Sequence, residues 1–123
     1  MKMSDFRKLS VWQKAHDLML ATHKLVDGIR GHDFGSLRGQ MYRAAESIPA
    51  NIVESRSHDS GREAARFLRI ALNSATELEY HVLAARDLGT IRPDVYDRFI
   101  TRISEVRKML YGLIRYMSGR KKA

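Results

Sequence analysis

Residues 61–88 read GREAARFLRIALNSATELEYHVLAARDL, and their spacing predicts the longest helix of the chain. Apolar side chains recur in steps of three and four, which places on one helical face Ala64, Phe67 or Leu68, Ala71, Ala75, Leu78, Val82 and Ala85. Ser60 with Glu63 forms a capping signature before this helix, and Gly89 is suited to end it. An amphipathic helix buries its apolar face against other elements, so the flanking segments decide the fold.

Three further helices are predicted around this segment by the same spacing. The first covers roughly residues 11–29 and follows a second capping signature, formed by Ser10 and Gln13. The next covers residues 37–54 and contains Pro49, whose missing amide hydrogen predicts a kink near residues 45–48. The last covers residues 93–117 and has Pro93 in its first turn, where proline is well tolerated.

Short links between these helices favour packing of sequential neighbours in opposite directions. We therefore predict one all-α domain over residues 1–123, folded as an antiparallel up-and-down four-helix bundle. Residues 118–123 have no apolar partner to hold them in a core, and we expect a disordered tail there.

The composition restricts the class of protein. Lys and Arg number 22 against 14 Asp and Glu, a formal charge of +8, which favours anionic partners such as nucleic acid or acidic protein surfaces. The chain has no cysteine, which excludes disulfides and thiolate chemistry and suits a reducing cytosol. No segment has the pattern of a signal peptide or a membrane span, so we expect a cytoplasmic protein without membrane contact.

The residues that could carry chemistry form no catalytic or metal-binding pattern. The histidines are too far apart to share a helical turn, and we interpret them as solvated or locally bonded: His16, His23, His32, His58 and His81. Glu77 and Glu79 are two residues apart and point to different faces of a helix. No serine lies in a nucleophile elbow, and no glycine-rich loop has the context of a phosphate cradle. We expect no enzymatic activity, no metal and no cofactor.

Basic side chains carry the clearest functional signal, because several recur at helical spacing and guanidinium rows suit phosphates. The candidate nucleic-acid-binding residues are Arg62, Arg66, Arg69, Arg98, Arg102, Arg107 and Lys108. A solvated basic face explains the same pattern, and packing explains Trp12 and the five tyrosines better than stacking on bases does. No groove-reading motif is present, so binding should be mostly to phosphate and strongly salt-dependent.

Residues 40–56, QMYRAAESIPANIVESR, resemble the segment RAA-x-SIPANI-x-E-G of the four-helix-bundle proteins first met as open reading frames in bacterial rRNA intervening sequences. The resemblance extends back to LSVWQKAHDL at residues 9–18 and forward to RFLRIALNSATELEYHVLAARDLG at residues 66–89. The chain departs from the family pattern at Ser55 and Asn73, where glycine is usual. These departures affect a turn and a packing position.

This resemblance implies a homopentamer of bundles arranged as a barrel. One relative, the accessory variability protein of diversity-generating retroelements, has a basic surface used with reverse transcriptase and RNA. The resemblance also offers an interpretation of polar helix residues, which would be satisfied between helices or subunits: Asn51, Glu54, Arg66, Asn73 and Glu77.

Two functions of different classes follow from these observations. The first is a non-enzymatic oligomer that binds RNA or DNA through basic faces, as an accessory to a nucleic-acid-processing protein. The second is a protein-interaction scaffold whose arginines pair with acids of neighbouring subunits, without a nucleic-acid site. Salt-sensitive binding of nucleic acid separates the two.

Overall fold

A computed structural model of the chain describes residues 3–119. Within these residues it contains four α-helices, which we label α1 (Ser10–Asp27), α2 (Gly35–Ser55), α3 (Gly61–Asp87) and α4 (Pro93–Ser118). Short 3-10 helices over Met3–Lys8 and His32–Phe34 precede α1 and α2, and residues 3–119 contain no strand. The predicted all-α class is confirmed.

The helix α3 begins and ends where its sequence predicts. Ser60 is the N-cap, and its side chain accepts a hydrogen bond from the backbone amide of Glu63 at 3.4 Å. After the C-terminal turn, Gly89 adopts a φ of +77°, and the amide of Thr90 donates to the carbonyl of Ala85 at 2.9 Å. This is the Schellman arrangement, which satisfies carbonyls of the last turn and needs a residue tolerant of positive φ.

The start of α1 differs from the prediction. Leu9 is the N-cap and Ser10 is already helical, so the expected capping box at Ser10 is wrong. The side chain of Gln13 instead donates to the carbonyl of Arg7 at 2.8 Å, which ties α1 to the 3-10 helix before it. The apolar periodicity predicts the helix correctly, but the side chain of Gln13 binds the carbonyl of Arg7 in the preceding segment and does not reach back to Ser10.

Other boundaries move by a few residues. The first helix ends at Asp27 rather than residue 29, and α2 begins at Gly35 rather than residue 37. The helix α2 is continuous through Pro49, and the kink near residues 45–48 stays a prediction. Ser118, which was assigned to the tail, is the last residue of α4, and residues 120–123 of that predicted tail lie outside the described part of the chain.

The core lies between the apolar faces of all four helices. Leu68 is fully buried and Phe67 is only half-buried, which resolves the alternative left open by the spacing. The helix α3 packs against both α2 and α4, and α1 packs mainly against α2. The largest fully buried side chains include Leu18, Met41, Ile48, Ile52, Leu68, Leu78, Ile103 and Leu110.

Side-chain contacts establish the direction of α3 relative to α4. Near the start of α3, the Nη2 of Arg69 donates to the Oγ of Ser118, at the end of α4, over 3.2 Å. Near the end of α3, the guanidinium of Arg86 lies 4.4 Å from the ring centroid of Tyr96, at the start of α4. These two helices are therefore antiparallel.

Contacts between the remaining neighbours are consistent with the up-and-down order. The hydroxyl of Ser74 on α3 lies 2.8 Å from that of Ser47 on α2. Lys14 on α1 forms an ion pair with Glu105 on α4, with 3.3 Å between Nζ and Oε2. As the contact between Arg69 and Ser118 shows, one end of the bundle holds the start of α3 and the end of α4.

Candidate nucleic-acid interface

The structure places the predicted basic residues at the two ends of the bundle and, for Arg107 and Lys108, midway along α4. Arg62, Arg66 and Arg69 lie on the first turns of α3, next to the last turns of α4. Arg98 and Arg102 lie near the start of α4, and with a rise of 1.5 Å per residue Arg98 is about 30 Å from Ser118. The predicted residues therefore do not form one continuous surface.

We call the first group the basic end and define it as Arg62, Arg66, Arg69 and Arg115. Arg69 is held by Ser118, which lies one turn beyond Arg115 on α4. Arg66 pairs with Glu63 at 3.1 Å and lies over the ring of Phe67, 4.5 Å from its centroid. Within residues 3–119, the exposed side chains of Arg62 and Arg115 form no ion pair.

At the opposite end, acidic residues offset three arginines, whereas the exposed Arg102 forms no ion pair within residues 3–119. Arg92 binds both carboxylate oxygens of Asp94, at 2.9 and 2.6 Å, and Arg98 approaches the same carboxylate at 3.3 Å. The hydrogen bond from Arg92 lowers the pKa of Asp94 to about 2 and raises the pKa of Arg92 itself. Arg86 pairs with Asp87 at 2.9 Å, so local ion pairs occupy much of the positive charge here.

Between the two ends, the surface of α4 carries a shallow groove. We call it the α4 groove; its volume is about 190 Å³ and it is lined by Ser104, Arg107, Lys108 and Tyr111. Arg107 is half-buried and forms an ion pair with Glu79 of α3, whereas Lys108 is exposed. Arg107 and Lys108 are both predicted binding residues, but only Lys108 has no ion pair among the described residues.

Asn51 forms its hydrogen bonds within α2, and a role for it between helices or subunits stays a prediction. Its Nδ2 donates to the carbonyl of Ser47 at 2.8 Å and to the hydroxyl of Ser47 at 3.0 Å, and that hydroxyl also contacts Ser74 on α3. Sequence reasoning did not identify Ser47 as the centre of this network. The available signal was its position one turn before Asn51 in the SIPAN segment.

The other polar candidates face solvent in the single subunit. Glu54 is exposed, and its carboxylate lies 3.4 Å from the hydroxyl of nearby Ser57. Asn73 and Glu77 are also exposed, so neither is satisfied between helices of one chain. A role for these three residues between subunits stays a prediction.

In the described part of the chain, histidines and acids do not converge on a metal-binding geometry. Several histidines contact aromatic rings instead: His16 stacks on Trp12 at 4.7 Å, and His58 stacks on Phe67 at 4.7 Å. Within residues 3–119, no three His, Asp or Glu side chains are grouped so that they could hold a metal ion. None of the helices described is both long and apolar enough to cross a membrane.

These features define a small four-helix protein with an uneven distribution of basic side chains. The chain belongs to the 23S rRNA-intervening sequence protein family, whose model matches residues 7–112. This assignment confirms the resemblance carried by residues 40–56 and the segments on either side of it.

A solved structure supports the same fold. The chain is similar to a crystal structure of a protein with unknown function from the S23 ribosomal protein family of Bacteroides thetaiotaomicron, at 25% identity and a TM-score of 0.79. The alignment covers 85% of this chain and 97% of that one. A search of curated proteins gave no significant match.

Proposed function

We propose that the protein binds RNA or DNA through phosphate contacts at the basic end, without catalysing a reaction. The observation that supports this proposal is the unequal pairing of arginines at the two ends of the bundle. Arg92 and Arg98 share Asp94 and leave only Arg102 unpaired beside them on α4, whereas Arg62 and Arg115 both have no acidic partner among residues 3–119. An unpaired guanidinium needs no internal ion pair to break before it binds a phosphate oxygen.

Sequence and helix geometry add to the charge at this end. Arg62, Arg66 and Arg69 recur at i, i+4 and i+7, and Glu63 neutralises only Arg66. A surface of this kind contacts the nucleic-acid backbone and does not read bases, so it distinguishes poorly between sequences.

The proposal includes self-association, for which the resemblance implies five subunits. Repeated basic ends in one assembly raise the affinity for a long nucleic acid through effective concentration, without any new contact. Such an assembly suits an accessory to a nucleic-acid-processing protein, because it holds the strand and leaves the chemistry to its partner.

The test compares two variants that lose the same number of charges at opposite ends. Arg62→Gln/Arg69→Gln/Arg115→Gln removes charge from the basic end, and Arg92→Gln/Arg98→Gln/Arg102→Gln is the matched control. Binding of labelled RNA and DNA is measured across a salt series, with folding checked by circular dichroism and mass by light scattering.

We expect the basic-end variant to lose affinity and the control to lose little. Each phosphate contact adds roughly 0.7 to the slope of log K against log salt for a single strand, so the slope should become shallower by about 2. Equal losses in both variants would contradict the assignment to the basic end. An intact wild-type oligomer that binds no nucleic acid at low salt would favour the protein-interaction scaffold.

A further inference from the structure

Tyr111 is placed differently from most aromatic residues of the chain. It lines the α4 groove, and its side chain is 51% exposed. Other tyrosines have ring partners: Tyr42 lies near His23, Tyr80 near His81, and Tyr96 under the guanidinium of Arg86. Among residues 3–119, the ring of Tyr111 has no aromatic or cationic neighbour of this kind.

Basic side chains lie on either side of Tyr111 along the helix. Lys108 precedes it by three residues and Arg115 follows it by four, so each is about one helical turn, or roughly 5.4 Å, away. Both are exposed and neither forms an ion pair within the described residues. Arg107, by contrast, is bound to Glu79, so it forms a fixed wall of the groove and is not a free phosphate ligand.

We infer that the α4 groove is a site for single-stranded nucleic acid, in which Tyr111 stacks on one unpaired base while Lys108 and Arg115 contact flanking phosphates. This inference rests on the proposed function and specifies its substrate. An exposed ring between cations is the arrangement by which proteins hold single strands without reading sequence. A duplex keeps its base faces stacked inside, so it cannot use the Tyr111 ring.

The basic end begins one helical turn beyond the groove. Arg115 follows Tyr111 by four residues on α4, and Arg69 reaches α4 at Ser118, one turn further along. A strand that lies over Tyr111 can therefore extend along the α3–α4 contact toward Arg62. The proposed phosphate contacts and the stacking position then belong to one path.

The chain offers close controls for a test. Tyr116 lies on the same helix and is 65% exposed; it also has no ring partner within residues 3–119, but it does not line the groove. Tyr111→Ala removes the stacking surface, Tyr111→Phe retains it, and Tyr116→Ala removes a somewhat more exposed ring elsewhere. The probes are a labelled oligodeoxythymidine and a labelled duplex of equal length, measured by fluorescence anisotropy at one salt concentration.

Tyr111→Ala should weaken binding of the oligodeoxythymidine roughly 5- to 150-fold, the loss expected for one stacked base. Tyr111→Phe and Tyr116→Ala should stay within about twofold of wild type, as expected when stacking at this ring is retained. None of the three should change duplex binding.

The outcomes separate this inference from the proposed function. Wild-type binding to both probes with no effect of Tyr111→Ala would overturn the stacking site and leave the basic end in place. Failure of the wild-type protein to bind either probe would overturn both. A change in the mass of Tyr111→Ala by light scattering would assign Tyr111 to a contact with a second copy and would also overturn the stacking site.

Discussion

Ser47 and Ser74 meet at the contact between α2 and α3. We expect Ser47→Ala to lower the free energy of unfolding more than the double variant Ser47→Ala/Ser74→Ala does. The Ser47 hydroxyl lies 2.8 Å from that of Ser74 and accepts from Asn51 at 3.0 Å. Ser74 is only 5% exposed, so Ser47→Ala leaves its hydroxyl without its partner and largely out of water. A buried polar group that loses its partner costs about 1–3 kcal/mol.

Two features place the cost near the lower limit. The freed Ser74 hydroxyl can rotate toward a carbonyl of the preceding helical turn, and Asn51 keeps its bond to the Ser47 carbonyl. We therefore expect Ser47→Ala to lower the free energy of unfolding by about 1 kcal/mol. The double variant Ser47→Ala/Ser74→Ala leaves no orphaned hydroxyl and gains helix propensity, so it should recover most of that loss.

Urea unfolding at one protein concentration measures these differences, since the stability of an oligomer depends on concentration. With an m value of about 2 kcal/mol/M, a loss of about 1 kcal/mol moves the midpoint by roughly 0.5 M. Ser104→Ala, at a helical serine whose side chain forms no hydrogen bond within residues 3–119, controls for the change in propensity. A double variant less stable than Ser47→Ala would refute the reasoning.

Two further predictions concern a helix end and a pH dependence. Gly89→Ala should lower the free energy of unfolding by about 1 kcal/mol, because Gly89 has a φ of +77° and an alanine side chain there would be strained although the space is open. Gly28→Ala is the control, since Gly28 has a φ of −84°. Thermal unfolding should show the control to be nearly neutral. The pKa of Asp94 is lowered to about 2, so its carboxylate stabilises the fold at pH values above the ordinary range near 4, and this contribution disappears as the pH falls toward 2. The difference in urea midpoint between wild type and Asp94→Asn should therefore shrink over that interval, and a constant difference would contradict the ion pair with Arg92.

The fold was predictable because helix periodicity, caps and breakers agree along most of the chain. Ser60, Gly89 and Pro93 mark the ends of two helices in the structure as they do in the sequence. The error at Ser10 has a physical cause, since a side chain can form its hydrogen bond outside the helix. Which acceptor Gln13 chooses depends on the path of residues 3–8, and this path leaves no periodic signal.

Polar contacts between helices were less predictable than the core. Asn51 was identified from its motif, but its partner Ser47 meets Ser74 only after α2 and α3 have packed. Apolar positions reveal themselves by repetition, whereas a single interhelical hydrogen bond depends on the register of two separate segments. Asn73 and Glu77 are also polar but are exposed in the single subunit, and the sequence alone does not distinguish them from a polar residue at a helix contact.

Some of the ion pairs that the arginines form can be predicted from the sequence, and others cannot. Arg66 follows Glu63 by three residues and Arg98 follows Asp94 by four, so both local ion pairs could be foreseen from helical spacing. The pair of Arg107 with Glu79 could not, because these residues are 28 apart in sequence and meet only through the packing of α4 on α3. A basic residue is available to a phosphate only after such partners have been accounted for. This condition narrows the proposed phosphate contacts from seven basic residues on α3 and α4 to the end of the bundle where α3 begins and α4 ends.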